Sequence, residues 1–370
     1  MTFAGRELHL PSPLFSLAET TMKNIPESIE NKIGTNLHKQ KDHPIFLVKQ
    51  RIFEFFQDLQ VVDYESPYVS VHENFDSLRI PADHPSRKSS DTFYNEQQVL
   101  RTHMTSYICP TVKKGIVSYI TCGDVYRKDE IDQTHYPIFH QIDAFHLVEE
   151  GVDVKTDLRK KIAGLIQHLF GKDCQYEFLE DYNHKDVYFP FTIDSFEVNV
   201  TLNVDGKKRE LEVLGAGTVH PEIMKSIGLE GRQAWAFGMG IERLAMVFYS
   251  IPDIRLFWSK DERFLKQFRN GENKKFVPYS KYEVCYKDIS FYVGESYSAN
   301  DFYTIVRDTD KENIVESIEL KDEFTNKGKK SKCYRINYRS MERTLTNHEV
   351  DNLQNKIREK CATVLNLELR

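Results

Sequence analysis

The sequence predicts an α+β fold in two parts: a mainly antiparallel sheet with flanking helices, then a smaller βαββαβ unit of the ferredoxin-like kind. Three observations carry this. Residues 196–204 alternate, with Phe196, Val198, Val200, Leu202 and Val204 on one face and Glu197, Asn199, Thr201 and Asn203 on the other. They run into Asp205-Gly206, a strong hairpin signal. Residues 138–148 alternate too. Beyond a polar, charged stretch at 259–278, elements follow in the order strand, helix, strand, strand, helix, strand.

In chain order, residues 1–42 are polar and weakly patterned and read as an N-terminal extension. A first domain is expected over 43–258. It opens with a helix over 43–59, where Ile45, Val48, Ile52 and Phe56 keep helical spacing. Residues 62–71 read as a strand, 74–90 as a loop around Pro81 and Pro85, and 153–170 as a helix. The return strand of the hairpin spans 210–215, and 234–240 is another strand, followed by a helix over 241–250. Residues 259–278 form the linker. The last domain, 279–370, has strands at 282–293, 313–320 and 333–338 and a helix at 299–307. A second helix spans 346–364, with Thr346 and Glu349 as its capping box, and a short final strand follows.

Composition narrows the function classes. The 370 residues are 40% hydrophobic, enough for a sizeable core, with 24 Phe and 19 Tyr against 2 Trp. Net charge is −6, so no overall basicity points to a polyanion partner. The six cysteines are scattered, which argues against a zinc knuckle or a disulfide framework. No apolar run reaches the ~18 residues of a membrane span. Arg6, Glu7, Glu19 and Lys23 do not make the arginine-rich, acid-poor pattern of a transit peptide.

Two strands carry the chemistry. Side chains on a strand alternate faces, so Phe139, Gln141 and Asp143 line one surface, with Arg127 at its mouth and His135 between. An aromatic, an amide, an acid and a cation together suit an amino acid joined to a nucleotide. In 234–240 one face is all small (Ala234, Ala236, Gly238, Gly240) and the other large (Trp235, Phe237, Met239). A face without side chains lets something pack closely. Arg243 follows on the next helix and can meet an anion lying over the glycines. Close strand–helix packing is the plainer explanation of the same pattern. Phe189 and Phe191, two apart, present one face that suits either a planar substrate or a core pair.

Gly123–Asp143 and Ala236–Arg243 resemble motifs two and three of class II aminoacyl-tRNA synthetases. In detail the chain resembles the phenylalanyl-tRNA synthetase family, through Leu100-Arg-Thr-His103, the run from Arg127 to Gln141, Phe189-Pro-Phe-Thr192, Leu211 to Pro221 and Ala236 to Leu244. Glu73 to Leu78, Asp83-His-Pro85 and Ile251 to Ser259 resemble its single-chain organellar form, and the βαββαβ tail resembles the ferredoxin-fold anticodon-binding domain. The resemblance runs from about residue 43 to the end. It implies a class II antiparallel-sheet catalytic domain that uses ATP and Mg2+ to join L-phenylalanine to tRNA(Phe) through an adenylate. It also implies a monomer in the mitochondrial matrix. The chemistry applied to another amino acid, or a non-catalytic RNA-binding paralogue, are the alternatives.

The resemblance also assigns roles. Arg127, Arg243 and His135 would be catalytic and, with Phe139, Gly240 and Glu212, would hold ATP. His103, Thr105, Gln141, Asp143, Phe189, Phe191, Ala236 and Gly238 would hold the amino acid. Three departures stand out: Asp143 where the family commonly has glutamate, Met104 where it has threonine, and Asp194 where it has proline. Glu210 and Glu212 share a strand face and are either candidate magnesium ligands or simply two exposed sheet carboxylates. In the tail, 16 basic residues balance 16 acidic ones from 276 to 370. Lys327, Lys329, Lys330 and Lys332 form a local basic loop suited to RNA phosphates or simply to solvent. Strand aromatics such as Phe291, Tyr334 and Tyr338 could stack on unpaired bases, with half of them expected in the core instead.

Overall fold

A computed structural model describes residues 22–128, 130–180, 189–204, 207–269, 275–277, 282–294, 297–326 and 329–370. Arg6, Glu7, Glu19, the Asp205-Gly206 turn, Lys327, and residues 270–274 and 278 of the expected linker lie outside the described residues.

Among the described residues the strands are β1 (Gln60–Val62), β2 (Tyr68–Ser70), β3 (Tyr94–Asn95), β4 (Gln98–Leu100), β5 (Ser118–Tyr126), β6 (Ile138–Leu147), β7 (Gln175–Glu180), β8 (Thr192–Val204), β9 (Lys207–Val219), β10 (Ala234–Gly240), β11 (Cys285–Val293), β12 (Val315–Asn326), β13 (Lys329–Tyr338) and β14 (Glu368–Leu369). The long helices are α1 (Pro44–Phe55), α2 (Val154–Phe170), α3 (Ile241–Tyr249), α4 (Ala299–Thr309) and α5 (Asn347–Thr363).

The first domain is built on a seven-stranded sheet in the order β1-β5-β6-β10-β9-β8-β7. All its pairs are antiparallel except β1 with β5. Helices α1, α2 and α3 cover one face. The local chemistry explains α1: Pro44 sits in the first turn, where its missing N–H costs nothing, and His43 Nδ1 accepts from the Ile45 amide. Ile45, Val48 and Ile52 are fully buried, each burial stabilising by ~1.5–3 kcal/mol. Asp153 caps α2 through Thr156, and Gly171, at φ 93°, ends it.

Two departures from the sequence reading have local causes. The strand expected over 62–71 is interrupted over 63–67, a stretch that ends in Pro67, which cannot donate to a hydrogen-bond ladder, and β1 and β2 enter different sheets. β5 gave no alternation signal because eight of its nine residues are buried. Its Gly123 is required by close approach: a Cβ there would lie 2.6 Å from Arg101 Nη2 and 2.9 Å from Met104 Sδ. Met104 is thus a core residue beneath the sheet, which accounts for the apolar side chain after His103. Asp194 lies at φ 49° in an irregular stretch of the β8–β9 pairing. Proline, fixed near −65°, cannot adopt that backbone, which suits an aspartate at this position.

The tail domain is a four-stranded antiparallel sheet, β12-β13-β11-β14, with α4 and α5 on one face. The capping box of Thr346 and Glu349 is formed. Of the aromatics offered as stacking surfaces or core, all three are core, which corrects the stacking half of that expectation: Phe291, Tyr334 and Tyr338 face the helices and are 0%, 1% and 0% exposed. The opposite parity carries the exposed rings. Arg335 lies 4.1 Å from the Tyr286 ring centroid, and Arg370 5.0 Å from that of Phe324. Among the described residues no helix is long and apolar enough to cross a membrane.

Candidate active site

The opposite face of the large sheet holds two adjoining cavities over β6, β9 and β10. One, of about 500 Å³, is lined by His103, Thr105, Gln141, Asp143, Phe189, Phe191, Ala236 and Gly238, among others. The second, of about 300 Å³, is lined by Arg127, His135, Phe139, Gln141, Glu212, Gly238, Gly240 and Arg243, among others. Arg127, Gln141, Glu212, Gly215 and Gly238 border both. Every candidate site residue of the first domain except Glu210 therefore lines one cavity or the wall between them.

Register explains the convergence. Gly238 pairs with Asp143 and Gly240 with Gln141, so the small face of β10 lies beside the polar face of β6. A Cβ at Gly238 would approach Asp143 Oδ1 to 3.1 Å. On β9, a Cβ at Gly215 would lie 2.6 Å from the Phe189 ring, so glycine is what admits that ring. Phe189 and Phe191 are stacked with centroids 5.8 Å apart, forming an aromatic wall opposite Ala236 that suits a planar apolar group.

The floor of the larger cavity is polar and short of donors. Thr105 Oγ1 donates to Asp143 Oδ2 at 2.5 Å. Asp143 Oδ1 and Gln141 Oε1 are buried acceptors without a partner. Burial pushes the Asp143 carboxyl up to about 7, against the opposing pull of Thr105 and Arg127. Burial and the Arg127 charge hold His103 down at about 3, so its imidazole is neutral. Two open acceptors beside a neutral imidazole fit a ligand bringing several N–H donors.

The second cavity is cationic. Arg127 Nε donates to Thr102 O at 2.8 Å, and its guanidinium lies 5.2 Å from the Phe139 ring centroid, covering one face of that ring. Arg243 Nη2 meets His135 Nε2 at 3.0 Å, and its Nη1 lies 3.7 Å from Glu212. Glu210 is exposed and lines neither cavity.

Two supporting acids escaped the sequence reading. Asp132 Oδ1 accepts from the amides of Thr134 and His135, and its Oδ2 meets His135 Nδ1 at 2.7 Å. An aspartate three residues before a histidine in a turn was the available signal. Glu242 is 3% exposed, accepts from the His140 amide at 2.9 Å and meets His140 Nδ1 at 2.7 Å, tying α3 to β6.

Comparison with known proteins gives the family. Residues 28–268 match the tRNA synthetases class II core domain (F), and residues 280–370 match the ferredoxin-fold anticodon binding domain. The chain is 44% identical to the chloroplastic/mitochondrial phenylalanine–tRNA ligase of Arabidopsis thaliana, covering 94% of this chain and 82% of that one. It is 40% identical to the mitochondrial phenylalanine–tRNA ligase of Mus musculus, covering 94% and 86%. The mitochondrial enzyme of Saccharomyces cerevisiae is 31% identical, with 94% and 92% covered.

The chain belongs to the phenylalanine–tRNA ligase family.

The alpha subunit of the Caldicellulosiruptor bescii phenylalanine–tRNA ligase matches over 241 residues at 39% identity, 61% of this chain. A phenylalanine–tRNA ligase match of that length falls well short of the whole chain, whereas the organellar relatives match nearly all of it.

Proposed function

We propose that this protein activates L-phenylalanine with ATP and transfers it to tRNA(Phe), within an organelle and as a single chain. The observation that carries this reading is the pair of cavities sharing Arg127, Gln141 and Gly238: one aromatic and acceptor-rich, the other cationic. An amino acid in the first and a nucleotide in the second would meet at Arg127.

In activation an oxygen of the amino-acid carboxylate attacks the α-phosphorus, and the bond to pyrophosphate breaks. Two anions must approach, so the protein's task is to neutralise and orient charge. Arg127 would hold the carboxylate and α-phosphate, and its link to Thr102 keeps its fork in place. Arg243 would hold the distal phosphates, since a guanidinium fork suits phosphate geometry. His135, held by Asp132, would assist there. Adenine would stack on Phe139, over the face that Arg127 leaves uncovered, with Gly240 giving it room. Gln141 Oε1 and Asp143 Oδ1 would accept from the α-ammonium. Phe189, Phe191, Ala236 and Gly238 would enclose the phenyl ring beside His103.

Magnesium accompanies ATP through phosphate oxygens and one or two carboxylates. Glu212, at the junction of the cavities, fits as that carboxylate, and a bound ion would further neutralise the departing pyrophosphate. Among the described residues no cluster of three or more His, Cys, Asp or Glu is placed to hold a metal ion.

For tRNA, Lys329, Lys330 and Lys332 sit in exposed or rim pairs with Glu368 and Glu323. Exposed pairs are weak and exchange readily for RNA phosphates. Tyr286 and Phe324, each under an arginine, replace the buried aromatics as the surface where bases would stack.

ATP–pyrophosphate exchange measured across the amino acids tests the reading. Exchange should be driven by phenylalanine above all others, followed by charging of organellar tRNA(Phe). Exchange driven by a different amino acid, or by none, would overturn it.

A further inference from the structure

Segment 130–137 leads into β6 and carries His135. Its inner side, through Thr134, His135 and Tyr136, lines the cationic cavity. Its outer side is held by the tail domain. The Ile318 amide of β12 donates to Ile131 O at 2.9 Å, and Gln133 Nε2 donates to Glu316 Oε1 at 3.1 Å. The Ile131 side chain packs on the tail's hydrophobic core. Glu316 is 4% exposed and pairs with Arg339 at 3.4 Å, so it is a fixed acceptor.

The first domain grips the same segment from the other end. The Ile254 amide donates to Gln133 O at 2.9 Å. Neighbouring Arg255 is fastened to Asp253 and donates to Val315 O at 2.7 Å. Gln133 therefore sits between Ile254 and β12, one residue from Asp132, whose carboxylate fixes the His135 backbone and ring. The chain of contacts runs from β12 through Gln133 and Asp132 to His135 and Arg243 without a gap.

We infer that the start of β12, through Glu316 and Ile318, is a positioning element of the ATP site. The docked tail holds residues 131–135 so that His135 faces Arg243 across the cationic cavity. This rests on reading that cavity as the ATP site. A segment released from β12 would have to be ordered by the nucleotide itself, so the loss appears in ATP affinity and not in the separate amino-acid cavity.

The test uses the full chain and ATP–pyrophosphate exchange, varying ATP and phenylalanine separately, with thermal unfolding as a control on folding. Gln133→Ala and Glu316→Ala should each raise KM for ATP about ten-fold, the scale of one lost hydrogen bond to a buried carboxylate, and leave KM for phenylalanine unchanged. Glu316→Gln keeps an acceptor for Gln133 and should retain the wild-type KM for ATP. An unchanged KM for ATP in Gln133→Ala overturns the inference, as does a parallel rise in both KM values. Should Glu316→Ala fail to fold, the exposed Gln133→Ala decides alone. The ATP-site reading itself is tested by Arg243→Ala, so its failure is distinguishable from failure of the β12 contact.

Discussion

Phenylalanine binding is expected to weaken about 30-fold as pH falls from about 8 to about 5.5, through one carboxyl group. In the ligand-free site Asp143 is buried and its carboxyl is pushed up to about 7, so below that pH it is neutral. An ammonium roughly 4 Å away, in surroundings of effective dielectric about 20, favours the ionised form by about 4 kcal/mol, or ~3 pH units. The bound carboxyl would then stay ionised down to about pH 4. At about pH 5.5 binding must first remove a proton held with a pKa about 1.5 units higher, which is the 30-fold. His103, held at about 3, does not titrate in this window. Calorimetry in two buffers of different ionisation enthalpy should count about one proton released per phenylalanine near pH 6. Asp143→Asn should abolish both the release and the slope. A flat affinity across the window, or an equal slope in Asp143→Asn, would refute the reasoning. The same group affects stability with a definite sign. Its raised pKa means the native state keeps a proton that the unfolded chain loses above its ordinary 3.8. Stability contributed by this site therefore falls from about pH 4 to about pH 7, by up to about 4 kcal/mol.

Other substitutions test separate parts of the site. Arg243→Ala should lower exchange by ~10²–10³ if the guanidinium stabilises transition-state charge, and a near-wild-type rate would exclude that role. Ala236→Gly should enlarge the end of the aromatic cavity and admit para-substituted phenylalanines, with discrimination against tyrosine in exchange assays as the readout. Gly215→Ala should displace the Phe189 ring, 2.6 Å from the new Cβ, and raise KM for phenylalanine more than KM for ATP. Glu242→Ala should cost about 3–5 kcal/mol in denaturant unfolding, because it strands the buried His140 amide and imidazole.

The legible parts of the sequence were those where period and chemistry coincide. On β6 the alternation of Phe139, Gln141 and Asp143 against Ile138, His140 and Ile142 separates cavity from core, and 234–240 was delimited by its small and large faces. β5 was invisible because a strand buried on both sides has no alternation to read. Which tail aromatics are core was not legible: a strand of mixed Tyr, Phe and Ile gives no clean polar face, and only Asp288 and Ser290 mark the outer side of β11. Asp132 and Glu242 were missed because their role lies in holding another side chain, which no spacing rule records. Contacts such as Gln133 with Glu316 join residues 183 apart and have no local signature.

The chain has only two tryptophans, and their surroundings differ in a useful way. Trp235 is sealed in the core with its indole N–H on Asp157. Trp258 stacks on Tyr136, with centroids 5.7 Å apart, at the end of the segment that carries His135. The protein thus contains its own optical gauge. Emission from Trp258 should follow the arrival of nucleotide and any loosening of that segment, while Trp235 supplies a steady internal reference. A Trp235→Phe variant would leave a single dye-free reporter, letting ATP binding be timed by stopped flow without labelling the enzyme.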